Sequence, residues 1–262
     1  MVNGLIHLKT NSMKKILVIL LIALSSFSIG PYSNRVVCHY PLNLNGGFYA
    51  EDLTKRCLSP IAVAPYTMTQ KGWALYFAGP TSSKVTIGKP STLNLTASPM
   101  TITCWCYFTN LSGGVNSGYR YICSDYNAAG NQAQFALQVN NASKLTFFWT
   151  NSGTQAPNPT TGQSGQTMQT GTWYFFAATR SGVSGSWTTE LYINGNRDGG
   201  ASTATNPCAQ ASAGNAMIGQ PGDYTGAPLG MVGYIKNLKI YNTSLSASAI
   251  REQYLKEYNQ VN

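Results

Sequence analysis

Acidic side chains and histidine are what this chain has least of: eight Asp and Glu and two His among 262 residues. Both shortages exclude chemistry. A Ser–His–Asp arrangement would have to be built on His39, because the other histidine, His7, lies in an N-terminal leader, and two histidines do not supply a zinc site. Charge of either sign is sparse, with Asp, Glu, Lys and Arg together making 10% of the chain. The basic residues are scattered, and Lys55-Arg56 is the one adjacent pair outside the leader. No stripe for a phosphate backbone emerges, so nucleic acid is not an expected partner. The formal charge of +9 includes Lys9, Lys14 and Lys15 of the leader, and the remainder reads as solubility with weak attraction to anionic surfaces.

Long apolar runs are missing too. The longest, Ile16 to Leu24, falls short of the ~20 residues that cross a bilayer as a helix. It follows Lys14 and Lys15 and precedes the small residues Ser26 and Ser28, the pattern of a secretory signal cleaved after Ser28, with Met13 as an alternative start. The organisation expected is a signal peptide or N-terminal hydrophobic segment over 1–28, a linker over 29–35, and one domain over 36–262. The rival reading is an uncleaved anchor or an arm packed in an assembly. A membrane is a partner only in that case.

What the chain does have is aromatic residues, 5 Trp, 16 Tyr and 9 Phe, enough burial to exclude disorder. They sit in short β-branched and aromatic runs separated by turn residues: 36–42, 73–79, 84–87, 100–108, 120–124, 134–140, 144–150, 172–179, 188–195, 216–219 and 231–241. That rhythm predicts a sandwich or barrel. Asn140 to Ser143 and Asn194-Gly195 mark two hairpin turns. Within 188–195, alternation places Leu191 and Ile193 inward and Glu190, Tyr192 and Asn194 outward. The polar segments 151–171 and 197–215 show no strand pattern and read as long loops. Between Ile235 and Leu238 the apolar phase slips, which predicts a bulge. Ser246 then caps a helix from Ala247 to Tyr258 with Ile250, Tyr254 and Tyr258 on one face.

Six cysteines in an exported chain invite disulfides, in any of 15 pairings. Cys104 and Cys106 share a strand face with Ile102 and Phe108 and read as small core hydrophobes. Cys38, Cys57 and Cys208 sit nearer loops or strand ends and are the disulfide candidates.

Five segments occur in the order of a known family: "MTITCWCYF" with Trp105, Trp173 to Ala177, "LYING" from Leu191 to Gly195, Gly233 to Ser246, and the short helix that follows. Together with "CHYPLN" and "ALYFAG" nearer the start, this resembles the laminin-G-like branch of the concanavalin A-like lectin/glucanase superfamily, from about Val36 to Tyr258. The resemblance implies an all-β fold, a two-sheet antiparallel jelly-roll sandwich with one short C-terminal helix. Some relatives are glycoside hydrolases, which need two carboxylates flanking the scissile bond, close together on one strand face. Here Glu51-Asp52 fall on opposite faces of an extended chain, Glu252 and Glu257 lie in the helix, and no E-x-D-x-E pattern occurs, so no catalysis is expected. Other relatives bind calcium at the rim. Where the family often has an aspartate after the isoleucine of the closing strand, this chain has Lys236 and Asn237, which leaves Asp125 (with Asn127 and Asn131) and Asp223 as calcium candidates. No other cofactor is implied.

Binding remains. An aromatic platform beside amides and carboxylates suits sugar, and the loops offer Tyr126 with Asn127 and Asn131, Trp187, and Asp223-Tyr224. Trp105, Trp149 and Trp173 sit within strands and are read as core. Trp187 follows "SGVSG" and is read as an exposed platform, its alternative being a strand-start aromatic covering a sheet edge. The leading expectation is a non-catalytic, secreted or surface-exposed lectin-like module that recognises glycans or a protein partner through its loops. The alternative is a self-assembling structural component of a virion or coat, located at the virion surface. A third class, a degenerate glycoside hydrolase, lacks its carboxylates.

Overall fold

A computed structural model describes residues 33–43, 50–55, 65–79, 83–111, 119–126, 133–150, 160–183, 185–199, 202–204, 215–222 and 229–259. The chain divides into Met1–Asn34 and Arg35–Asn262, and only Ser33 and Asn34 of the first unit are described, so the leader lies outside the described residues.

Among the described residues, the second unit consists of strands, short 3-10 turns and one α-helix. In chain order the strands are β1 (Val36–Tyr40), β2 (Tyr66–Thr69), β3 (Gly72–Ala78), β4 (Val85–Gly88), β5 (Met100–Phe108), β6 (Arg120–Ser124), β7 (Ala136–Val139) and β8 (Lys144–Trp149). They continue with β9 (Thr160–Thr167), β10 (Trp173–Val183), β11 (Ser186–Ile193), β12 (Asn196–Arg197), β13 (Ser202–Ala204), β14 (Ala216–Ile218) and β15 (Val232–Tyr241), and helix α1 (Ala247–Asn259) follows. A nine-stranded sheet runs β12-β11-β10-β5-β15-β3-β2, with β1 on β15 and β13 on β11. A six-stranded sheet runs β4-β14-β6-β7-β8-β9. The strand ladders of both are antiparallel, consistent with the sandwich that the strand rhythm predicts and the two-sheet jelly roll that the family resemblance implies.

Period-2 alternation builds the core. On β5, Ile102, Cys104, Cys106 and Phe108 turn inward with no exposed surface, joined by Phe176 and Leu191 of the same sheet and by Leu137 and Phe147 of the other. Each of the Ile, Leu and Phe side chains contributes about 1.5–3 kcal/mol of burial. Cys104, Cys106 and Cys123 are free thiols within this core, and burial raises the pKa of Cys104 and Cys123. Cys38 is disulfide-bonded, with a partner outside the described residues, where Cys57 and Cys208 also lie.

The hairpin turns and the bulge form where the sequence places them. Asn194 and Gly195 both take positive φ, 52° and 75°, and Asn140 Oδ1 accepts from the Ala142 and Lys144 amides. The register of β15 on β5 shifts between Lys236 and Lys239. Asn237 fills that bulge at φ 50°, its amide donating to Pro41 O and its side chain meeting His39 Nε2 at 2.8 Å. Four strands fall outside the expected runs, one of them the two-residue β12 that follows the Asn194-Gly195 turn. β2 is a four-residue edge strand, and β9 and β13 lie inside the segments read as long loops. β9 pairs at the edge through backbone groups, with Ser164 Oγ accepting from the Leu145 amide, so it needs no apolar alternation.

Candidate functional site

The outer face of the nine-stranded sheet is divided in two. One part lies under α1. Ser246 Oγ accepts from the Ala249 amide and starts the helix. Ile250 is wholly buried, and Tyr254 stacks 5.8 Å from Trp105. The third expected anchor, Tyr258, is 41% exposed, and Glu257, which an apolar pattern does not nominate, is buried instead. Glu257 accepts from Trp105 Nε1 at 2.8 Å and pairs with Lys239 at 2.8 Å, while Gln253 Nε2 donates to both Glu257 and Thr103.

The other part carries a stripe of four aromatic rings across four neighbouring strands. Trp173 on β10 stands opposite Tyr107 on β5, Tyr107 opposite Tyr234 on β15, and Tyr234 opposite Tyr76 on β3. Ring centres follow at 5.6, 5.7 and 5.1 Å. With strands about 4.8 Å apart, the stripe is about 14 Å long. All four side chains are half-buried, and the hydroxyls of Tyr76, Tyr107 and Tyr234 have no hydrogen-bond partner among the described residues. Gly233 makes the close approach: at φ 142° its Cα lies so near β5 that a Cβ would stand 2.0 Å from Tyr107 O. The surface therefore offers apolar ring faces beside phenol groups that act as both donor and acceptor.

The residues nominated from sequence do not assemble into this site. Trp187 is wholly buried, a correction to its reading as an exposed platform: β11 pairs it with Gly182 on the inward phase, and its ring packs 4.9 Å from the buried Arg180 guanidinium. Tyr126 is half-buried on the other sheet, stacked 6.3 Å from Tyr121 and edge-on to Phe148 at 6.3 Å. Asn127, Asn131, Asp223 and Tyr224 lie outside the described residues. Trp173, read as core, is half-buried on the outer face. The missed signal is one of phase, since Tyr107 shares the parity of Thr101 and Thr103 against the apolar Ile102 and Phe108. The cross-strand register that lines up four such residues is not in any local stretch.

Asp125 does not fit a calcium site. It is 3% exposed, Oδ1 accepts from the Gln134 and Phe135 amides, and Oδ2 accepts from Gln134 Nε2, so both oxygens that a cation would need are taken by N–H donors. Burial pushes its pKa up to about 6 against those bonds. The small cavity beside it, about 10 Å3, has room for about one water. At the rim position, Lys236 extends its ammonium to Lys71 O and Asn237 is held by His39. Among the described residues no three His, Cys, Asp or Glu come together to hold a metal.

A search of curated protein sequences finds no match. Among solved structures, the fold is similar to Trypanosoma rangeli sialidase in complex with a difluoro-KDN compound (TM-score 0.60, 16% identity), over 87% of this chain and 33% of that one. It is similar to domain 4 of AbnA, a GH43 extracellular arabinanase from Geobacillus stearothermophilus, in complex with arabinotriose (TM-score 0.57, 16% identity, 83% of this chain and 97% of that one). It is also similar to the binding domain of Paraclostridial Mosquitocidal Protein 1 (TM-score 0.66, 12% identity, 87% and 53%). The chain thus spans about a third of the sialidase, and identities this low speak for the fold alone. A laminin-G-type family model matches residues 79–251. The antiparallel sandwich and this match together place the chain in the concanavalin A-like lectin/glucanases superfamily, to which it belongs.

Proposed function

We propose that this chain is a non-catalytic carbohydrate-binding module, exported or displayed at a surface, and that the stripe Tyr76–Tyr234–Tyr107–Trp173 is its platform. The observation that carries the reading is the stripe itself: four half-buried rings in line, with phenol groups that have no hydrogen-bond partner among the described residues. Sugar rings present C–H faces that lie on aromatic rings and hydroxyls that bond to phenols. The structure of the arabinanase domain with arabinotriose supports a glycan as the kind of ligand.

The acids support a binding role over hydrolysis. Asp52, Asp125, Glu190, Asp198 and Glu257 each accept hydrogen bonds from the protein's own groups, and Glu51 and Glu252 are exposed, the latter on α1. A glycosidase needs one of its two carboxyls raised in pKa and open to the substrate. Among the described residues the raised carboxyl, Asp125, faces inward onto amides.

The test is retention of the protein on an immobilised glycan panel, with Trp173→Ala and Tyr107→Ala beside the wild type. A ring at the centre of an interface is worth roughly 2 kcal/mol, or about 30-fold in affinity. Weakening of that order with little change in Tm supports the platform. Retention unchanged in both variants removes it.

A further inference from the structure

Tyr234 and Lys236 are two residues apart on β15, so both stand on the outer face, and Lys236 lies opposite Trp105 in the register. The Lys236 side chain is half-buried, and its ammonium donates to Lys71 O, its one acceptor among the described residues. It lies beside the first residue of β3, since a Cβ built on Gly72 would be 3.5 Å from Nζ. A second ammonium is held on the same face: Lys71 Nζ stands 5.5 Å from the Trp105 ring centre and 4.6 Å from that of Tyr258. The nearby carboxylate, Glu257, is bound to Lys239, Trp105 and Gln253 and forms no ion pair with Lys236. Two cations thus crowd one flank of the aromatic stripe, and Lys236 has ammonium protons to spare beyond its single carbonyl. Burial, and then the charge of Lys71, lower the pKa of Lys236, a cost that a bound anion would offset.

We infer that the glycan on the stripe is acidic, with a carboxylate or sulfate group seated on Lys236. This deepens the carbohydrate-binding reading and rests on it. The sugar rings lie along Trp173, Tyr107, Tyr234 and Tyr76, and the anionic substituent projects from the Tyr234 position along β15 toward Lys236. A charge-assisted hydrogen bond to an ammonium is about twice as strong as a neutral one, so the flank selects among glycans whose rings stack equally well.

The experiment compares each chain with its own uncharged form. Trigalacturonate is measured against its methyl ester, and a carrageenan oligosaccharide against its desulfated form, by calorimetric titration of wild type, Lys236→Met, Lys71→Gln and Trp173→Ala. The expected result is at least tenfold tighter binding of one acidic member over its neutral partner, a preference that salt weakens and Lys236→Met removes. Which pair shows it separates carboxylate from sulfate. Lys236→Met keeps the stem over the sheet, its Tm reports folding, and Lys71→Gln gives a second, smaller loss should Lys236→Met fail to fold. Equal or tighter binding of the neutral forms, still weakened by Trp173→Ala, overturns the acidic ligand and leaves the platform standing. No binding of any form by the wild type overturns both.

Discussion

The guanidinium of Arg180 lies 4.9 Å from the centre of the Trp187 ring, and both side chains are wholly buried. Trp149 covers it at 5.4 Å. The guanidinium donates to Gln134 O and Ser98 O at 2.9 Å and also to Leu95 O. A buried cation is costly unless hydrogen-bonded; here backbone carbonyls and two indole faces share the work, and a desolvated cation–π contact adds about 2 kcal/mol. The same bonds tie β10 of one sheet to the segment before β7 of the other.

Trp187→Ala is therefore expected to act on stability. Removal of the ring leaves a cavity and uncovers the cation, costing roughly 3–5 kcal/mol. Urea denaturation should show this loss. A stable Trp187→Ala that fails to bind glycan would restore the exposed reading.

Asp125 gives a pH dependence of definite sign. Its folded pKa is raised from 3.8 to about 6 by burial, so the native state holds the proton more tightly than the unfolded chain. Its contribution is fullest below 3.8 and is lost as pH rises through about 6, a change of roughly 3 kcal/mol at about 1.4 kcal/mol per pH unit. His39 acts in the opposite sense, its pKa held below 6.5 by burial and then by Lys239. The difference between wild type and Asp125→Asn isolates the carboxyl. The variant should lack this slope across pH 4–6, and it should be less stable by about 1–3 kcal/mol at pH 4 because its NH2 would face the Gln134 NH2. Parallel pH profiles for the two proteins would remove the assignment.

Glu257 and Lys239 form the ion pair under α1, with side chains 7% and 16% exposed. Glu257→Gln strands the Lys239 ammonium and should cost about 3 kcal/mol, with a change in Trp105 fluorescence as the helix loosens. Lys239→Met in the Glu257→Gln background should recover part of the loss, because no charge is then left unpaired. Additive losses in the double variant, followed by thermal melts, would show that the pair is not coupled.

Much of the fold was legible because its signals are local. Alternation on β5 and β11, the Asn194-Gly195 turn, the phase slip at Asn237 and the Ser246 cap each occupy a few adjacent residues, where side-chain direction and φ preference decide the outcome. β9 escaped because an edge strand can be held by main-chain bonds alone. Trp187 was misplaced because its neighbours Gly182 and Gly185 are turn residues in sequence, while pairing across the hairpin puts its ring inward.

By itself the sequence determined a sandwich of antiparallel strands, a closing helix, cysteines in the core of β5 and a poverty of carboxylates. Only the tertiary structure decided that Asp125 and Trp187 belong to the interior and that Trp173, Tyr107, Tyr234 and Tyr76 form one surface. Those four residues are distant in the chain, and no local preference brings them together. Their line exists because the β10-β5-β15-β3 order and its register set one aromatic residue beside the next, and register follows from burial of the whole inner face.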